Sequence, residues 1–327
     1  MELPSIDFTL LMGNNSEEQA RLDEAAVKYG FFLLKNVPEL STLVLDSSLQ
    51  WQAWFFSLPM EAKMSLKRSE TNPFGYNDAE LTKQRRDWKE ILDIGPRGAE
   101  NKWPNETVTE EKAADFRSAM ELYYEKCEAV SKQLIKFLLE TKVGSQEEME
   151  SIMGHYEAHT SYLRLNHYSV CPNPAPEDAP SIFDVAKMGK LAVGRHTDAG
   201  AVTILLQDGV KGLQMEYEGK WTTICSKRLD LIINVGDMMQ VYSNDRYKAP
   251  LHRVIASSTS ERYSAPFFLN PATDSVIQPL ALDQGSSQPL YKPISWREFR
   301  SLRALGDYKD AGEEVQIVHY RVDREVN

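Results

Sequence analysis

Apolar residues recur at helical spacing through the first half of the chain and at alternating positions through much of the second half. Ser16 and Gln19 form a capping-box pattern ahead of Leu22, Ala25, Ala26 and Tyr29, and Gly30 stands where a helix-ending glycine belongs. The run FFLLKNV (31–37) predicts a short buried strand. A second helix is expected after Ser41, ending before Pro59. A long one is expected from about Thr109 to Val143, with Phe116, Met120, Tyr123, Cys127, Val130, Leu134 and Phe137 on one stripe. Ser145 with Glu148 predicts the start of a further, shorter helix.

From Ser161 the texture changes. YLRLNHY (162–168) alternates, which sets Leu163, Leu165 and His167 on one face of a strand and Tyr162, Arg164, Asn166 and Tyr168 on the other. AVTILLQ, GLQMEY, WTTIC, DLIINV, MMQVYS, LHRVIAS and RYSAPFFL follow as further predicted strands, with Glu218-Gly219 as a hairpin link. The stretch CPNPAPEDAP (171–180) reads as a loop, and a last helix is expected from Ser295, with Glu298 completing its cap. Helices first, many short strands next and a helical tail last make an α+β organisation with a sandwich or barrel core.

The 327 residues carry a formal charge of −11, with 26% charged and 42% hydrophobic positions. A length of this kind fits one large β-barrel enzyme core as well as two domains. The acidic balance argues against nucleic acid or anionic membranes as partners. Cys127, Cys171 and Cys225 form neither a disulfide framework nor a cysteine zinc site. No run approaches the roughly 18 apolar residues of a membrane span, and no signal-peptide pattern opens the chain, so a cytoplasmic protein is expected.

The candidate chemistry lies in the histidines. In GRHTDAG (194–200), His196 and Asp198 are two apart, so a strand would aim both at one point. His252, in APLHRVIA, follows Asp198 after 53 intervening residues. Two imidazoles and one carboxylate leave coordination positions open, the donor set of non-haem iron(II) oxygenases. The bare pattern also occurs by chance, as a surface aspartate near core histidines. Of the other histidines, His155 and His159 have the i, i+4 spacing of a metal pair, but the glutamate is at 157 and not beside the first histidine. His167 reads as a packed core residue and His319 as part of a polar tail. Arg262 and Ser264 stand ten positions past His252, again two apart, and suit a carboxylate ligand. An arginine aimed into a barrel needs such a partner; the alternative is an exposed arginine on an edge strand.

These motifs resemble the iron(II)- and 2-oxoglutarate-dependent dioxygenases, in the plant-type branch that includes isopenicillin N synthase, flavonoid oxygenases and gibberellin oxidases. The likeness runs through LPSIDF, KYGFFLLKNV, FFSLPMEAKMSLK, DWKE and NKWP, and then through NHY, HTD, NVGDMMQVYSND, APLHRV and ERYSAPFFLNP, in order. It implies a double-stranded β-helix, a distorted jelly roll flanked by N- and C-terminal helices. It implies one compact unit over 1–327, with an N-terminal region at 4–108, the oxygenase core at 158–275 and a C-terminal helix and tail at 276–327. It further implies Fe(II) on His196, Asp198 and His252, and the distal carboxylate of 2-oxoglutarate on Arg262 and Ser264. Tyr168 and Asn166 would line the co-substrate site, and Phe268 would face the substrate. YSVCP in place of the branch's usual tyrosine-proline, and Arg195 before the first ligand, are departures that blur the subfamily.

The implied activity is oxidation of an unactivated C–H bond of a small, specialised-metabolite substrate with dioxygen and 2-oxoglutarate, by hydroxylation, desaturation or cyclisation. The alternatives are an oxidase like isopenicillin N synthase, which needs no 2-oxoglutarate, and a β-core binding protein without catalysis. Arg164 shares a strand face with Asn166 and Tyr168, so it is expected either to meet an acidic substrate group or to form an internal salt bridge.

Overall fold

A computed structural model describes residues 1–69, 71–82, 85–104, 110–180, 188–280, 288–308 and 315–322. The chain opens with β1 (Ser5–Asp7), α1 (Phe8–Met12), α2 (Ser16–Lys28), β2 (Phe31–Lys35), α3 (Thr42–Phe56) and α4 (Met60–Met64). The strands β3 (Gly75–Asn77), β4 (Leu81–Thr82), β5 (Arg85–Arg86) and β6 (Glu90–Ile94) precede the long α5 (Glu110–Leu139) and α6 (Gln146–Gly154). Next come β7 (Tyr162–Tyr168), β8 (Leu191–His196), β9 (Val202–Gln207), β10 (Leu213–Tyr217), β11 (Lys220–Thr223) and β12 (Leu231–Val235). A short α7 (Asp237–Tyr242), β13 (His252–Ile255), β14 (Arg262–Leu269), β15 (Val276–Ile277), β16 (Ile294–Ser295) and α8 (Trp296–Tyr308) complete the order.

Two sheets face each other. The larger runs β1-β2-β12-β9-β14-β7-β6-β3 and the smaller β11-β10-β13-β8. All their pairings are antiparallel except β1 with β2. This is the α+β double-stranded β-helix, with helices covering the outer face of the larger sheet. The α5 stripe predicted from Phe116 to Leu134 is buried to 1% exposure or less and packs on α3, β9 and β14. The helix ends at Leu139, four residues before Val143; its expected start, Thr109, lies outside the described residues.

Several local expectations shift. The cap of α2 is Asn15, whose side chain accepts from Glu18 N, so Ser16 is the first helical residue and not the cap. Gly30 does close that helix, in the left-handed region at φ 63°. Ser145 caps α6 by accepting from Glu148 N. Glu218 and Gly219, at φ 50° and 76°, turn β10 into β11. MMQVYS, expected as a strand, is the helix α7. Met238, Met239, Val241 and Tyr242 are all buried, and a short apolar run buried on every side carries no period to separate the two forms. The first third, read as almost wholly helical, also contributes β3 and β6 to the larger sheet next to β7. Asp93 breaks the apolar pattern of β6 because it is buried against arginines, which hides that strand from a hydrophobicity reading.

Candidate metal centre

His196 closes β8 and His252 opens β13, and the two are direct partners across the ladder of the smaller sheet. Their rings lie 4.2 Å apart between centroids. Asp198 follows two residues past His196 on the loop toward β9. The ligand atoms of His196, Asp198 and His252 lie within 4.8 Å of one another, the sole such cluster among the described residues.

The surroundings aim these atoms. His196 Nδ1 bonds to the carbonyl of Gly194 at 2.9 Å and His252 Nδ1 to that of Pro250 at 3.0 Å. A carbonyl only accepts, so both Nδ1 atoms carry the proton and both Nε2 lone pairs are left for a metal. Asp198 Oδ2 accepts from Thr203 Oγ1 at 2.6 Å and Asn234 Nδ2 at 2.7 Å. Its Oδ1 is thereby turned to the two Nε2 atoms, 3.7 Å from each. Burial, and next to it His252, lower the pKa of His196 to about 3, so its imidazole is neutral near pH 7. Burial would raise the Asp198 carboxyl, but His252, His196 and the two hydrogen bonds hold it below the ordinary value. Two imidazoles that present Nε2 and one carboxylate form a donor set that fits a divalent first-row metal.

Thr203 and Asn234 were not singled out from the sequence. They are direct neighbours in the β9–β12 register. The available signal was a polar residue inside each of two otherwise apolar strands, AVTILLQ and DLIINV. Gly236, the residue between β12 and α7, also matters here: a Cβ would stand 2.3 Å from the carbonyl of Gly200 and 2.9 Å from that of Asp198, so only glycine lets the chain pass so close to the ligand loop.

Across the cavity, β14 pairs with β7 so that Arg262 lies opposite Tyr168 and Ser264 opposite Asn166. The structure therefore brings together the four residues expected at a co-substrate site. Tyr168 Oη and Asn166 Nδ2 each lie 3.3 Å from Ser264 Oγ, and the Arg262 guanidinium sits 4.9 Å above the Tyr168 ring. Arg262 is 3% exposed, not an exposed edge residue. Its Nη2 donates to Gln207 Oε1 at 2.7 Å and its Nε to the carbonyl of Val210 at 3.2 Å, while Nη1 is buried with no partner among the described residues. A buried donor left open beside a hydroxyl fits a carboxylate ligand. The same cavity, about 80 Å³, is lined by the metal cluster, Arg262, Ser264, Asn166, Tyr168, Arg164 and Phe268. Gln52 of α3, also missed from the sequence, donates to the carbonyls of both Asn166 and Ser264 and so ties the N-terminal region to this wall.

Arg164 faces the cavity, as the alternation predicts, and its charge is matched inside the protein. Nε and Nη2 grip the two oxygens of Asp93 at 2.7 and 2.9 Å, and Nη1 meets Glu80 at 2.9 Å. Arg68 pairs with the same two carboxylates, and Lys89 with Glu80 and Asp87. Phe268 stacks on Tyr162 at 4.7 Å. His155 bonds to the hydroxyl of Tyr242 and His159 to Glu128, so these two histidines serve different partners. His167 packs on Tyr263 and bonds to Glu90.

Comparison with known proteins gives a consistent result. Residues 159–271 match the model of the 2OG-Fe(II) oxygenase superfamily, and residues 3–115 that of the non-haem dioxygenase in morphine synthesis N-terminal region. The chain is 31% identical over 313 residues to Jasmonate-induced oxygenase 1 of Arabidopsis thaliana, covering 92% of this chain and 72% of that protein. It is also 31% identical to Feruloyl CoA ortho-hydroxylase 2 of the same plant over 307 residues, 91% of this chain and 78% of that one. Among solved structures, JOX2 in complex with 2OG, Fe and JA superposes with a TM-score of 0.78 at 27% identity, covering 99% of this chain and 90% of that one. The dioxygenase for auxin oxidation in rice gives a TM-score of 0.72 at 19% identity, over 98% of this chain and 100% of that one, and so shares the fold.

Proposed function

The chain belongs to the 2OG-Fe(II) oxygenase superfamily, and from that premise we propose that His196, Asp198 and His252 hold its iron while Arg262 and Ser264 bind the distal carboxylate of its 2-oxoglutarate. The protein is an oxidoreductase that depends on Fe(II) and 2-oxoglutarate and acts on a small molecule. In its hydroxylating form the balance is substrate C–H plus dioxygen plus 2-oxoglutarate giving substrate C–OH, succinate and carbon dioxide. Bound iron(II) supplies the activation of dioxygen and the oxidation of the C–H bond.

The observation that carries the reading is the meeting of two prepared sites in one cavity: a triad with both Nε2 atoms free, and the open Nη1 of Arg262. Gln207 and Val210 fix the guanidinium plane before any ligand arrives, so a carboxylate is oriented as well as attracted. Tyr168 and Asn166 hold the Ser264 hydroxyl toward the same ligand. Thr203 and Asn234 keep the Asp198 carboxylate in one orientation. Phe268 forms the apolar wall on the substrate side. Arg164 is best supported as the centre of a buried ion network that fixes β6 against β7. The related oxygenases named for jasmonate and feruloyl CoA support a specialised metabolite as substrate, and the sparse, unpaired cysteines support the cytoplasm as its place of action.

The test is anaerobic purification with Fe(II), then succinate release on admission of air, with and without 2-oxoglutarate. Release that needs both is expected. Oxygen uptake that persists without 2-oxoglutarate would overturn the co-substrate assignment in favour of an oxidase.

A further inference from the structure

A second cavity, of about 520 Å³, adjoins the metal cavity and shares Arg164 with it. Its size is that of a small-ligand site. Tyr162 lies in its wall and stacks on Phe268, which faces the metal cavity, so one continuous aromatic surface runs from one space to the other. Phe74, Pro73 and Pro96 supply further apolar wall.

Four arginines line this space: Arg68, Arg164, Arg297 and Arg300. Arg68 and Arg164 are paired with Glu80 and Asp93, and Arg297 with Asp274. Arg300, half-buried on α8, differs. Among the described residues its guanidinium meets the ring of Tyr162, 5.9 Å from the centroid, and no carboxylate. A guanidinium held partly out of water over an aromatic face, with its fork unmatched, is a receptor for a planar anion. One unmatched charge suits one carboxylate, and the apolar walls suit a carbon skeleton, whereas a polyphosphate would need more free cations than the described lining offers.

We infer that Arg300 is a specificity-determining residue that binds the carboxylate of the substrate, a small monocarboxylic acid whose apolar body lies along Tyr162 and Phe268. The carbon to be oxidised then lies at the far end of the molecule, beside the metal centre. This rests on the oxygenase reading for the chemistry but not for the binding.

The test uses the full chain with Mn(II) in place of Fe(II) and with 2-oxoglutarate, under conditions where no turnover occurs. Phenylacetate, cinnamate and decanoate are titrated, each beside its methyl ester, and thermal stabilisation and calorimetric affinity are read. At least one acid is expected to bind about tenfold or more tighter than its ester. Arg300→Gln should erase that preference while keeping the melting temperature of the acid-free protein, and Arg300→Lys should keep part of it. No acid outbinding its ester, or a preference that survives Arg300→Gln, overturns the assignment. Iron- and 2-oxoglutarate-dependent succinate release is measured separately, so a failure of the oxygenase reading shows there and a failure of the carboxylate subsite shows in the binding data.

Discussion

At the scale of single residues, strand alternation fixes where i and i+2 point, and it holds for Arg262 with Ser264 inside β14. His196 ends β8 and Asp198 lies on the loop beyond it, so in the candidate ligand set that loop, held by Thr203 and Asn234, and not the pleat, turns the carboxylate to the imidazoles. What could not be read were the residues that aim them. Thr203 and Asn234 acquire meaning only when β9 and β12 align in register, 31 positions apart in sequence, and Gln52 only when α3 crosses β7 and β14. Two predictions belong here. Asp198→Ala removes the one anionic group of the proposed iron triad and should abolish retention of Fe(II) after desalting, together with turnover. It also leaves the Thr203 and Asn234 donors buried and unmatched, which costs about 1–3 kcal/mol, so circular dichroism should still show a folded protein with a lowered midpoint. Iron retained at one equivalent in that variant would remove the triad. Arg262→Lys keeps the charge but loses the planar fork and the contacts to Gln207 and Val210. The KM for 2-oxoglutarate should rise about tenfold or more, on the order of 1.4 kcal/mol, and an unchanged KM would place the co-substrate elsewhere.

At the scale of elements, β7 is the most informative strand. Its two faces were readable from YLRLNHY, yet the partner of Arg164 was not, because Asp93 and Glu80 lie in an N-terminal segment whose strands carry no clean alternation. The same limit explains α7: a helix that is buried on all sides looks like a buried strand. Arg164 thus joins β7 to β6 and to the segment before β4, in a network with Arg68, Lys89 and Asp87. Burial works against the Glu80 carboxyl, and the Arg164, Lys89 and Arg68 charges overcome it and hold it well below the ordinary range. Removing one member of such a network strands the opposite charge in a dry interior. Arg164→Ala should therefore lower unfolding stability by about 3–5 kcal/mol, read as a shift in the denaturant midpoint. The KM for 2-oxoglutarate should change little, since the residues proposed to hold that ligand, Arg262 and Ser264, stand on the neighbouring strand. A variant with wild-type stability and a lost response to substrate would instead make Arg164 a substrate contact.

For the whole molecule, the acidic excess read from composition becomes a statement about stability against pH once the carboxylates find partners. Asp23 of α2 meets Arg246 and Tyr247 beyond α7 and Lys142 beyond α5, and ties the helical layer to the loop that precedes His252. Burial alone would raise its pKa; Arg246, Tyr247 and Lys142 bring it from 3.8 to about 2. In Glu128 the bond from His159 does most to lower the value, from 4.5 to about 2. Glu80, Glu90 and Asp245 are shifted down as well, and Asp87, which burial raises, acts against them. A carboxyl with a depressed folded pKa takes up its proton more readily in the unfolded chain. Its stabilising contribution is complete above the unfolded pKa and is lost as pH falls toward the folded one. The melting temperature should accordingly be nearly flat from neutral pH down to about 5 and drop steeply between about 4 and 2. Asp23→Asn isolates one part of this. The pair is half-exposed and screened, so the variant should lose about 1 kcal/mol or less at neutral pH, on the order of 2 °C. That gap should close as pH is lowered through the window from 3.8 to about 2, where the wild-type carboxyl is itself protonated. Calorimetric melts of both proteins across that range check it, and a gap that is constant with pH would show that the ion pairs of Asp23 contribute nothing to holding the helical layer on the barrel.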